Sequence, residues 1–453
     1  MVAALAAGPL CAVAQPSMQA ILTNGPVSNR LNIAVLSEGY TSSQLAQFAV
    51  DATTAVNALL SHPPYQEYRN YFNAFAIKVA SAESGSDHLS SGIYRNTYFN
   101  STYDPDWDYV ITVPSDSTGQ GRVDALLQTF LPNCQLPILL VNDPNRGGSD
   151  GFGTTTIAST AAVSGEIPPY PPGILTHETG HVLANLGDEY TTPSDYPDTE
   201  EPNTTQQTNR LLIKWKAWIS TNTPVPTPQT AGEGVVGLFE GAHYHETGWY
   251  RPQLNCLMGN LGVPFCSVCS EALVLAIYQR VRPVDGYSPA STNFSVSTTE
   301  GLTFTLSLLQ PTTHNLNVQW FTNSVVRSGA TNLSFTLLPI ALSNGTNRIS
   351  AEVKDTTSLV RNDPTNLLSQ MVTWTVDVNL PQLRLDSPLW LTGGKFAFRV
   401  CGNAPQGFVI QSSTNLSNWA PLATNYLVAG QFWHTNSPTG SSPRKFYRAT
   451  ALP

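Results

Sequence analysis

Charge is scarce in this chain. Asp, Glu, Lys and Arg make up 12% of its 453 residues, and 31 acids against 22 bases leave a net charge of −9. So few Lys and Arg argue against the basic patch that nucleic-acid binding requires. They argue equally against docking on an anionic membrane surface. Long apolar runs are missing as well. None approaches the roughly 20 residues that a membrane-spanning helix needs, so membrane insertion is not expected. Methionine occurs only four times, which makes each placement informative. Repeats of the kind that build a solenoid or propeller are absent too.

There are six cysteines. Cys11, Cys134 and Cys401 stand apart, whereas Cys256, Cys266 and Cys269 fall close together. In an exported protein such a cluster favours a disulfide. Cys266-x-x-Cys269 is also half of a zinc knuckle, but no second pair supplies the other two ligands. Export is expected from the start of the chain. Residues 2–14 are apolar and end in Ala12-Val13-Ala14, an A-x-A cleavage pattern before Gln15. Residues 1–15 therefore read as the remnant of a signal peptide, and the protein as secreted or periplasmic. Plentiful Ser, Thr, Asn and Pro suit a secreted β-rich chain.

The length allows two to four domains at about 100–200 residues each. Leu31–Leu36 reads as a buried strand and residues 41–60 as an amphipathic helix with Thr/Ser caps. Further strands are expected at 71–80, 108–113 and 137–141, with a short helix at 125–130. Strands alternating with helices imply an α/β sheet with crossovers. An edge strand is expected within 154–163, a surface loop over 190–210, and a helix over 271–282 that Pro283 ends. Beyond residue 285 the pattern changes. Short β-rich runs (302–308, 316–321, 333–338, 348–353, 372–378) alternate with polar turns, the rhythm of a β-sandwich. A last small β region follows Pro381, with runs at 396–400, 407–411 and 445–448 and a turn over 412–419. The expected division is a catalytic domain over 16–285, an Ig-like sandwich over 286–380 and a small β domain over 381–453.

The chemistry concentrates in Thr176-His177-Glu178-Thr179-Gly180-His181 and the residues after it. His-Glu-x-x-His on a helix puts His177 and His181 on one face, able to hold a single zinc ion. Glu178 then sits where a general base for a metal-activated water belongs. Leu175, Val182 and Leu186 form the opposite stripe, Pro171-Pro172-Gly173 punctuates the start, and Gly187 reads as the stop. Two histidines leave zinc short of a third protein ligand. Asp188, just past the glycine, is the first candidate, and Glu189 is its competitor. Downstream, Asn255-Cys256-Leu257-Met258 places one of the few methionines in a loop before a helix. Such a methionine lies beneath the metal-binding histidines in metzincins.

These segments together resemble the bacterial IgA-peptidase family of zinc metallopeptidases, a metzincin-like group. The resemblance runs through Leu36-Ser37-Glu38-Gly39-Tyr40, Ser84-Gly85-Ser86-Asp87, Val141-Asn142 with Gly147-Gly148, and His177…Asp188-Glu189-Tyr190. It continues through Trp215-Lys216-Ala217-Trp218-Ile219, Glu240-Gly241-Ala242, Tyr250-Arg251-Pro252, Cys256-Leu257-Met258 and Phe265…Cys269. It spans roughly residues 28–283. It implies a zincin-like α+β catalytic domain, with His177, His181 and Asp188 as zinc ligands, Glu178 as base and Met258 as the Met-turn residue. The chain departs from the family pattern in having Glu38 where an aspartate is usual. It also departs at His243-Tyr244-His245, where a small residue and tyrosines are expected. The group that steadies the oxyanion is therefore open among Tyr244, His245 and Tyr250. The later regions resemble the Ig-like tails of such peptidases and a small β module of secreted bacterial proteins.

The reading is a secreted, monomeric zinc endopeptidase acting on a protein or peptide, with the substrate extended against the 154–163 strand. One alternative is an adhesin-like binding protein on a catalytically silent zincin scaffold. Another is a zinc amidase acting on peptidoglycan.

Overall fold

A computed structural model of the protein describes residues 15–193, 196–297, 300–379, 383–402, 406–437 and 444–452. Of the expected signal-peptide remnant over 1–15, residues 1–14, with Cys11, lie outside the described residues. The chain forms two compact units. One takes in residues up to Pro283 together with 309–316 and 355–368, and the other takes in 284–308, 317–354 and 369–453.

The first unit is built on a six-stranded sheet. Its strands in chain order are β1 (Ser17–Leu22), β2 (Leu31–Glu38), β3 (Phe72–Lys78), β4 (Leu136–Val141), β5 (Gly148–Ser149) and β6 (Thr156–Ser159). They lie side by side as β1-β3-β2-β4-β6-β5. The inner four pair in parallel, while β1 and β5 close the two edges antiparallel. A parallel interior strand is covered on both faces, and β2 accordingly has no exposed residue. Its side chains divide by parity. Leu31, Ile33 and Val35 enter one core with helices α1 (Leu45–Leu59), α4 (Ile174–Ala184) and α5 (Ser267–Arg280). Ala34 and Leu36 enter the other, with Val123 and Leu126 of α2 (Gln120–Phe130).

Helix α1 starts where the Thr/Ser signal places it. A short 3-10 turn over Ser42–Gln44 precedes it, and Thr41 and Gln44 form a capping box. Two expectations need correction. The strand expected at 154–163 is not an edge, because β6 is flanked by both β4 and β5, and residues 160–164 turn into the short helix α3. Ser159 caps that helix by accepting from the Ala162 N–H, and a capped turn ends a strand. The outermost strand is β5, two residues long, and its Gly148 N–H is already bonded to the Tyr109 carbonyl. The 190–210 segment is likewise not a plain surface loop, since Glu201, Asn203, Thr204 and Thr205 are buried.

The second unit is all β. A three-stranded sheet (Val284–Ser288, Leu302–Leu308, Ser334–Leu337) and a five-stranded one built around Gly345–Lys354 and Ser369–Val378 have a core of Trp320, Trp374 and Phe304. Two further three-stranded sheets occupy the last seventy residues or so, around Phe398, Val400, Phe408, Ile410 and Leu427. The structure is thus mixed α/β with more sheet than helix, followed by sandwich-like β regions.

Candidate active site

Helix α4 carries the site, and its burial explains its sequence. Gly173 caps its start. The first free N–H groups of a helix need acceptors, and here a distant carboxylate supplies them. Glu166 accepts from the N–H of Leu175 (2.6 Å) and Thr176 (3.2 Å) and from the Thr176 hydroxyl (2.6 Å). Leu175, Thr179 and Leu183 face the core. Gly180 faces it too, because a Cβ there would lie 3.2 Å from Met258 Sδ, Leu186 Cδ1 and Phe265 Cε1. The glycine inside the motif lets Met258 come directly beneath the helix.

The helix ends earlier than expected. Asn185, not Gly187, takes the left-handed conformation (φ 51°), and its N–H returns to the His181 carbonyl at 2.8 Å. Asparagine tolerates this conformation through its short polar side chain. Leu186 is consequently buried from outside the helix. Gly187 serves a close approach instead, as a Cβ there would fall 2.5 Å from Glu201 Oε2.

The turn brings Asp188 back to the histidines. Its Oδ1 lies 3.2 Å from His177 Nε2 and 3.4 Å from His181 Nε2, and the two Nε2 atoms are 3.2 Å apart. Each imidazole is fixed by its other nitrogen. His177 Nδ1 bonds the Leu257 carbonyl (3.0 Å) and His181 Nδ1 bonds the Leu186 carbonyl (2.5 Å). Both carbonyls can only accept, so both Nδ1 atoms donate and both Nε2 lone pairs face the shared point. Asp188 Oδ1 is buried and has no hydrogen-bond partner. Three acceptors thus converge with no donor among them, which favours a cation. Bonds of about 2.0–2.1 Å in tetrahedral geometry would separate ligand atoms by about 3.3 Å, the spacing seen here. The donor set therefore fits zinc.

Without an ion the site draws protons instead: burial works against the imidazolium forms, but Asp188 and Glu178 outweigh it and raise both imidazoles, His181 to about 10, so the pocket calls for positive charge. Burial works against the Asp188 carboxylate, but the two imidazoles outweigh it and hold its carboxyl well below the usual range. Burial pushes the Glu178 carboxyl up, and although both imidazoles pull it back it stands at about 7. The carboxylate of Glu178 comes within 4.8 Å of both ring nitrogens. Its Cγ would lie 3.6 Å from a Cβ on Gly148, so Glu178 sits against edge strand β5.

The remaining candidates separate clearly. Tyr244 and Tyr190 both donate to Asp188 Oδ2, at 2.5 and 2.8 Å. His243 and Tyr244 occupy left-handed backbone (φ 50° and 65°) in the turn that aims the phenol inward. His245 goes elsewhere: it pairs with Asp198 at 2.9 Å and stacks near Trp249. Tyr250 packs against the main core, and its strand bridges Thr205. Glu189 points away from the histidines. Asn203 Nδ2 donates to its Oε1 at 2.9 Å, and the Cys269 thiol lies 3.4 Å from the same oxygen.

Comparison with known families decides what kind of chain this is. Residues 19–234 and 229–277 match the family described as IgA Peptidase M64. The chain belongs to this family. The match covers more than half of the sequence and both segments that build the site. No curated protein matches. Among solved structures, similarity is reported to an apo β-glucuronidase 3 of Bacteroides uniformis (10% identity, 46% of this chain and 27% of that one, TM-score 0.15). It is also reported to fibronectin(III)-like modules of Clostridium thermocellum CbhA (8% identity, 34% of this chain and 78% of that one, TM-score 0.15). The chain spans about a quarter of the length of the first.

Membership in the M64 family supports a peptidase, a hydrolase acting on protein, with a metal implied by the family. Among the described residues no helix is long and apolar enough to cross a membrane. Three supporting residues of this site carry little or no signal in the sequence. Glu166 holds the start of α4, Tyr190 holds Asp188, and Asn203 holds both Gly187 and Glu189. Tyr190 alone had a local signal, as it follows directly on Asp188-Glu189.

Proposed function

We propose that this chain is a secreted zinc-dependent endopeptidase in which His177, His181 and Asp188 hold the ion and Glu178 is the general base. The observation that carries the reading is the convergence of His177 Nε2, His181 Nε2 and Asp188 Oδ1 within 3.4 Å of one another, with Glu178 beside them. When bound, zinc supplies Lewis acidity toward a water and a substrate carbonyl. Glu178 accepts a proton from the attacking water and passes it to the leaving amine nitrogen.

Tyr190 and Tyr244 divide a second task. Asp188 Oδ2 accepts from both phenols, so Tyr190 can keep the carboxylate oriented while Tyr244 turns to the oxyanion. Of the three candidates weighed from sequence, Tyr244 is the one whose hydroxyl already reaches a ligand. The substrate enters beside β5, the edge strand that Glu178 sits against, and not along 154–163. Met258, directly under Gly180, acts as the Met-turn residue.

The test is cleavage of an unbiased peptide library by the full chain, with metal removed and then restored. Cleavage that is lost on chelation and returns with zinc supports the proposal. Absence of cleavage by fully zinc-loaded protein across the library would sink it.

A further inference from the structure

Behind the site just described lies a second cluster that its chemistry does not use. Glu189, Cys256, Cys266 and Cys269 are all buried, at 2%, 1%, 5% and 0% exposure, and one donor atom from each lies within 4.8 Å of the others. The three cysteines are free thiols. Cys256 Sγ and Cys269 Sγ are 3.6 Å apart, far beyond the roughly 2.05 Å of a disulfide. A tetrahedron with bonds of about 2.3 Å, the zinc–sulfur length, has edges of about 3.8 Å. The observed separation is close to that.

Two further observations point to an ion. Glu189 Oε2 is buried and has no hydrogen-bond partner, a costly state for a carboxylate oxygen. Arg251 spends its guanidinium on the main-chain carbonyls of Glu189 and Gly241. Backbone amides also aim at the sulfurs. Cys266 caps α5, with the Cys269 N–H 3.5 Å from its Sγ, and the Cys266 N–H lies 3.3 Å from Cys256 Sγ. Amide donors and a helix N-terminus both favour thiolate over thiol. The half-knuckle Cys266-x-x-Cys269 therefore finds its missing ligands in Cys256, ten residues upstream, and in Glu189. Three cysteines could form one disulfide and would leave an odd thiol beside an uncompensated carboxylate. A single divalent ion satisfies all four groups.

We propose that Glu189, Cys256, Cys266 and Cys269 bind a second zinc ion in a closed structural site. Thiolate ligands select zinc among the common divalent ions, and four protein ligands leave no position for substrate. The ion ties together three segments: the residue following Asp188, the turn whose Leu257 carbonyl orients His177, and the start of α5. The Glu189 N–H to Met258 carbonyl bond at 2.8 Å already joins the first two. The site fixes the frame on which the His177/His181/Asp188 set depends.

The test is metal content and X-ray absorption on the purified full chain. Wild type is expected to hold two zinc ions per chain. The double variant His177→Ala/His181→Ala should keep one, with a shell of mostly sulfur at about 2.3 Å. Native thiol labelling should leave the three cysteines unreacted until a strong chelator is added. Cys269→Ser should lose one ion per chain, and if that variant does not fold, the wild-type absorption spectrum and labelling carry the decision. A disulfide among these cysteines in a non-reduced peptide map, or a double variant without sulfur-bound zinc, would overturn the proposal. A wild type holding one sulfur-bound zinc and no second ion would uphold this site and refute the proposed function.

Discussion

Asn203→Ala tests whether the 190–210 segment holds the site from behind. The amide of Asn203 is fully buried and makes three bonds. Its Oδ1 accepts from the Gly187 N–H at 2.7 Å, and its Nδ2 donates to the Gly187 carbonyl at 2.8 Å and to Glu189 Oε1 at 2.9 Å. Alanine removes all three and orphans both backbone groups of Gly187. Each orphaned buried group costs roughly 1–3 kcal/mol, so the loss should be about 2–6 kcal/mol. At roughly 2–4 °C per kcal/mol in a domain of this size, Tm should fall by at least about 4 °C. Gly187 precedes Asp188 directly, so loosening it should also weaken zinc at the histidines by about 10–100-fold, the usual effect of losing a supporting partner. Calorimetry and a zinc-competition titration measure the two effects. Thr208→Ala, in the same segment but exposed, should change neither. Unaltered Tm and zinc affinity in Asn203→Ala would refute the reasoning.

Three other substitutions follow from the same geometry. Tyr244→Phe should lower kcat by about 10²–10³-fold at saturating zinc, the usual loss for one oxyanion donor. Tyr190→Phe should leave kcat within about tenfold and act mainly on zinc affinity, so equal kcat losses in the two variants would contradict the division of roles. Glu166→Ala leaves the N–H groups of Leu175 and Thr176 without their acceptor. It should destabilise the protein by roughly 2–5 kcal/mol in urea unfolding, and an unchanged midpoint would show that α4 does not need this carboxylate.

The parts legible in the sequence were those governed by local periodicity. The buried run Leu31–Leu36, the capped helix after Thr41 and most strands of the second unit follow from alternation, amphipathicity and turn residues. The start of α4 was legible from Pro171-Pro172-Gly173. Its end was not, because Asn185 accepted the left-handed turn two residues before the more obvious glycine. The edge strand was misplaced because pairing order is a property of the sheet. Thr156–Ser159 has the same composition whether one neighbour or two lie beside it. Spacing alone leaves the third ligand open between Asp188 and Glu189. Asp188 and Glu189 are adjacent and point to opposite sides of the turn, one toward two imidazoles and the other toward three thiols. Glu166 and Asn203 act across sequence separations of 9 to 16 residues through side chains alone, and such contacts leave no periodic trace. The surroundings of the cysteine cluster are hidden for a related reason, since the buried carboxylate beside it, Glu189, lies 67 residues before Cys256 (256 − 189).

The central claim is that Glu178 moves the proton in a site whose metal is held by other residues. Glu178→Gln keeps the shape of the side chain and removes its basicity. Zinc content should equal wild type, and peptide cleavage should fall by about 10²–10⁴-fold, the usual contribution of a general base. Cleavage within tenfold of wild type in that variant, with zinc fully bound, would contradict that claim.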